Sequence, residues 1–124
     1  MEAYEFLNVE KALIGVISAD APASVDIPKP HPKRFVQVNR VGGTAGLVTD
    51  RPMVTFYVWG ETWSAAHNLA ALIRRRFHSL TELGGMPVYL VIEVGGLSRA
   101  PDPVDGSPRY QFTAEIRLRG FTAP

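Results

Sequence analysis

Apolar and polar positions recur along this chain with two different periods, and the changes of period mark its elements. From Ala3 to Ile17 the residues Ala3, Phe6, Val9, Leu13 and Ile17 return at three- and four-residue steps, which predicts an N-terminal helix with one buried stripe. Glu2, Glu5 and Glu10 sit toward the positive end of its dipole. Pro22, Pro28, Pro30 and Pro32 then exclude helix from Ser18 to Pro32 and predict a stiff, extended connector over the surface. Two β-rich runs follow, Phe35–Val41 and Met53–Trp59. Between them the chain opens with Gly42-Gly43 and closes with Asp50-Arg51-Pro52, which predicts a hairpin with a long, basic, protruding loop. The Met53–Trp59 run is apolar on both faces. Such a strand is central in its sheet, or one of its faces meets another subunit.

Thr62 is positioned to cap a second helix, expected over Trp63–Leu83, with Ala66, Leu69, Leu72, Ile73, Phe77 and Leu80 as its stripe and Gly84-Gly85 as its end. A third strand is expected at Pro87–Val94 and a fourth at Arg109–Gly120. In the fourth, Tyr110, Phe112, Ala114, Ile116 and Leu118 point one way, while Gln111, Thr113, Glu115, Arg117 and Arg119 point the other. A long link, Gly95–Pro108, joins these two strands. The order α-β-β-α-β-β predicts an α+β fold: a mainly antiparallel four-stranded sheet with two helices packed on one face.

Composition narrows the function more than the fold. A chain of 124 residues that is 46% hydrophobic reads as a single packed domain spanning residues 1–124. A net charge of +1 carries no global commitment to nucleic acid or to an anionic membrane. Cysteine is absent, which removes disulfides, thiolate nucleophiles and Cys-ligated metals, and suits a reducing cytoplasm. The acidic start does not read as a secretory signal, and no apolar run reaches the ~20 residues of a membrane span.

Motifs of catalysis and cofactor binding are missing. His31, His67 and His78 lack HExxH or HxH spacing, and no serine sits in a GxSxG elbow. The Gly42–Gly46 stretch has no following Lys-Ser/Thr and leads into a strand, so it does not cradle phosphate as a Walker loop does. Arg74-Arg75-Arg76 fans around the second helix at ~100° per residue and reads as a solvated face. The expectation is therefore no catalytic residue, no cofactor and no metal.

Several short segments, taken in order, resemble the tail terminator (tail completion) proteins of long-tailed bacteriophages. They are Pro28–Val38, Arg40–Gly43, Leu47–Pro52, Val54–Gly60, the Ala-rich Ser64–Leu72, Glu93–Gly96, Pro101–Pro103 and Pro108–Phe112. The resemblance implies a non-enzymatic virion assembly protein made in the host bacterial cytoplasm. It implies a ring, usually a hexamer, that caps the head-proximal end of the tail tube, ends tube polymerisation and provides the head-attachment surface. The implied partners are further copies of the chain, the tail tube protein, a neck or head-completion protein, and genome DNA passing through the lumen without sequence-specific binding. No membrane is involved. Arg34, Arg40, Asp50 and Arg51 are the expected subunit-interface residues, because they lie in the signature hairpin and carry both signs. Two other classes fit the residues: a neck or head-closure (head-tail connector) protein of the same virion, and a small-molecule binding domain on the same frame.

Overall fold

The computed structural model describes residues 3–122. In chain order its elements are β1 (Tyr4–Glu5), α1 (Val9–Ile17), β2 (Ala23–Ser24), β3 (Phe35–Ala45), β4 (Thr49–Trp59), α2 (Trp63–His78), β5 (Glu82–Leu83), β6 (Met86–Arg99), β7 (Arg109–Arg119) and β8 (Phe121–Thr122). The fold is α+β, but the sheet is larger than the periodicity predicts. Six strands lie in the order β2-β3-β4-β7-β6-β5, and β1 pairs with β8 in a separate ribbon. The sheet is mixed, because β2 runs parallel to β3 while its other pairs are antiparallel. The four expected strands are its long centre. The added strands are two residues each, too short to carry a period, and main-chain pairing such as Val36 N–H to the Pro22 carbonyl at 2.9 Å places them.

Both helices lie on one face. Val9, Leu13 and Ile17 of α1 and Leu69, Ile73 and Phe77 of α2 share a core with Val36, Val38, Val54, Phe56, Phe112, Ala114 and Ile116 of the sheet. Phe56 stacks on Phe112 at 4.8 Å and meets the edge of Phe77 at 5.0 Å. Such pairs contribute about 0.5–1.5 kcal/mol each beyond their buried area. Strand β4 is central, between β3 and β7. Its doubly apolar character is thus largely satisfied inside the chain: Val54, Phe56 and Val58 face the helices, and Trp59, on the opposite face, is buried as well.

The boundaries depart from expectation in four places. Helix α1 begins at Val9, not Ala3, because Asn8 caps it by accepting the Lys11 N–H at 3.2 Å while the residues before it enter β1. Helix α2 ends at His78, and Gly84-Gly85 is not its cap. With φ of +56° and +82°, the two glycines form the tight turn between β5 and β6. Strand β6 continues to Arg99, so the link to β7 shrinks to residues 100–108.

The expected long loop of the central hairpin is itself strand. Pairing runs out to Ala45↔Asp50, past a bulge between Arg40 and Gly42. Gly43 is required there. It has φ +97°, and a Cβ on it would lie 2.0 Å from the Arg51 carbonyl oxygen. The result is a long hairpin arm held by β7 along its β4 side, out to the Thr49↔Arg119 pair and the Gly120 N–H on the Val48 carbonyl; its β3 side and tip, including Val41 and Leu47, are exposed.

Candidate functional site

Two regions on this frame carry exposed or unusual chemistry. The first is the arm. Arg40 and Asp50 form a two-pronged ion pair along it, Nη1 to Oδ2 and Nη2 to Oδ1, each at 3.1 Å. Asp50 is 1% exposed and also accepts the Arg51 N–H at 3.0 Å. The Arg40 N–H reaches Glu10 on α1 at 2.9 Å, and its Nε donates to the Gly42 carbonyl. Of the four predicted interface residues, these two are therefore committed to each other. Arg51 lies on the arm with its side chain exposed. Arg34 lies at the far end of β3, where it donates to the Asp20 carbonyl at 3.2 Å. The four do not form one patch.

The arginine run is also more structural than a solvated face. Arg74 grips Glu93 of β6 with two hydrogen bonds of 2.5 Å, and Arg76 grips Asp20 at 2.5 and 2.9 Å. The hydrogen bonds from Arg74 hold the Glu93 carboxyl below its usual value, and those from Arg76 do the same for Asp20. Helix α2 is thereby fastened to β6 on one side and to the turn after α1 on the other.

The second region lies at the Trp59 end of the helix-free face, where the proline connector and the 100–108 loop close over the sheet. Trp59 is fully buried, with Phe35 at 5.4 Å and His31 at 5.6 Å between ring centres. Its indole N–H donates to Asp102 Oδ2 at 2.9 Å. The Arg109 guanidinium lies over Tyr57 at 4.5 Å and over Trp59 at 5.3 Å, and donates to the Ala100 carbonyl. A half-open groove of about 600 Å³ runs between the two loops, with Ile27, Pro28, Pro103 and Val104 among its apolar walls.

His31, Asp102 and Asp105 meet at this groove. His31 Nε2 is 2.8 Å from Asp105 Oδ2 and 3.7 Å from Asp102 Oδ2. Burial works to raise the Asp102 carboxyl, but the Val104 N–H and the Trp59 indole outweigh it, so it lies below its usual value. Asp105 is held at about 2, first by Ser107 and then by His31. Their donor atoms lie within 4.8 Å of one another, a spacing one metal ion would span. Each already has hydrogen-bond partners within the chain. The sequence does not show this cluster, because His31 stands more than seventy positions from Asp102 and Asp105, which by themselves read as turn residues. The only trace was a shared frame: both Pro30-His31-Pro32 and Pro101-Asp102-Pro103 hold a polar residue between two prolines.

No known protein family matches the sequence, and no curated protein matches it. Among solved structures, a chain from the virion of a native gene transfer agent particle matches with a TM-score of 0.61 at 11% identity. The match covers 88% of this chain and 86% of that one. At that identity the likeness is one of fold, and it runs nearly end to end: this chain folds as a protein of a virion particle does.

Proposed function

We propose that this protein is a non-enzymatic virion assembly protein of the tail-terminator kind. Copies of it form a closed ring, a hexamer by analogy, at the head-proximal end of a tail tube. The ring ends tube growth and offers the surface to which the filled head attaches. The observation that carries this reading is the fold held in common, over almost the full length of both chains, with a chain of a gene transfer agent virion. The sequence resemblance described above points the same way. The outer hairpin supports the reading too, because its exposed β3 side and tip, with apolar Val41 and Leu47, are suited to meet a neighbour. Within it, Arg51 is the residue available for contact, with Arg34 at the opposite end, while Arg40 and Asp50 brace the arm from inside. The tail tube protein, a neck protein and passing DNA are the proposed partners, and the virion tail is the proposed location.

The test is deletion of the gene from its phage, followed by electron microscopy of the lysate. Abnormally long tails or tails without heads support the proposal. Tails of normal length joined to heads refute it.

A further inference from the structure

His31 sits where two loops meet, and its two ring nitrogens each face an oxygen. Nδ1 is 2.8 Å from the Pro32 carbonyl oxygen, and Nε2 is 2.8 Å from Asp105 Oδ2. Neither oxygen has a proton to give. A peptide carbonyl is an acceptor only, and Asp105, held at about 2, is a carboxylate at neutral pH. A neutral imidazole has one N–H and one lone pair. In either neutral tautomer, one nitrogen would therefore set its lone pair against an acceptor oxygen at hydrogen-bond distance. Only the doubly protonated ring donates to both.

We propose that His31 is a proton-operated clasp. As an imidazolium it fastens the proline connector, residues 28–34, to the 100–108 loop, and loss of its proton frees the connector and uncovers Trp59. The groups around it fit that role. Asp105 and Asp102 face it from the loop, and their negative charge favours the cation. The nearby cations are held elsewhere: Lys33 is paired with Glu61 at 3.2 Å, and Arg109 lies on Tyr57 and Trp59. Lys29 lies on the same groove and adds an opposing charge, while Arg34, at the end of the connector, donates to the Asp20 carbonyl. The Pro32 carbonyl bond raises the His31 pKa, burial opposes it, and the two carboxylates add to the rise, which leaves it above 6.5. A raised folded-state value means that the clasp contributes in full below about 6.5, the unfolded value. Its contribution is lost as pH rises through the folded value.

Nitrogen-15 NMR of the His31 ring in the full-length protein, from pH 5 to pH 9, tests the clasp. The expected result is two protonated ring nitrogens at pH 6 and a titration midpoint above 6.5. Asp105→Asn is expected to move that midpoint down. Exchange of the buried Trp59 indole N–H, corrected for its intrinsic pH dependence, is expected to accelerate as pH crosses the midpoint. A single N–H at pH 6, a midpoint at or below 6.5, or protection of the Trp59 indole N–H unchanged across the midpoint would each overturn the proposal. The titration of the unsubstituted protein decides the question even if Asp105→Asn does not fold.

Discussion

Removing Arg40 from beneath the arm should cost more stability than removing Asp50, although the two are partners in one ion pair. At 3.1 Å and an effective dielectric near 20, their attraction is about 5 kcal/mol before desolvation is subtracted. The asymmetry comes from burial. The Asp50 side chain is 1% exposed and that of Arg40 is 34% exposed. Arg40→Ala leaves a carboxylate that water does not reach, which costs roughly 3 kcal/mol, the lower end of the range for a broken buried pair. Asp50→Ala leaves a guanidinium that can turn to solvent, so its cost falls to about 1–2 kcal/mol. For a chain of this size, the larger loss corresponds to a fall of about 10 °C in Tm. Urea denaturation of both single variants and the double variant measures the effect, with m-values that should not change. A coupling energy of ~1 kcal/mol or more is expected. Repeating the series at two protein concentrations separates bracing within the chain from subunit contacts, because an interface effect depends on concentration. Equal losses for the two single variants, or a coupling below about 0.5 kcal/mol, refute the reasoning.

Two further outcomes follow from the fastening of the loops and of α2. Trp59→Phe keeps most of the ring but removes the N–H donated to Asp102, leaving a buried carboxylate short of one donor; a loss of about 1–3 kcal/mol is expected by chemical denaturation. Glu93 and Asp20 have lowered carboxyl values, so their contribution is present above about 4.5 and 3.8 respectively and disappears as pH falls through the folded values. The urea midpoint should therefore decline on acidification below about pH 4.5, and Glu93→Gln should make that decline shallower.

The sequence by itself determined the long elements and their faces. Val9, Leu13 and Ile17, the α2 stripe, and the alternation of β7 each follow from a local period, because burial of one face repeats every 3.6 or 2 residues and leaves its imprint over ten or more positions. For β4 the doubly apolar run left two readings, a central strand or a subunit-facing one, and the sheet order makes it central. Tertiary structure decided the rest. The two-residue strands β1, β2, β5 and β8 have no period, and hydrogen bonds to a distant partner place them. The glycine-rich stretch of the hairpin reads as loop from composition, yet Gly43 lies in the ladder opposite Pro52, where the Arg51 backbone passes too close for any Cβ. Arg40 and Asp50 looked like available charges, yet Arg40, which stands opposite Val54, reaches along the hairpin to grip Asp50, which stands opposite Ala45. His31, Asp102 and Asp105 became one cluster only when two proline-stiffened loops closed over Trp59. A period records which side of an element is dry. It does not record which distant residue will supply the missing donor or the opposite charge, and those pairings form the sites described here.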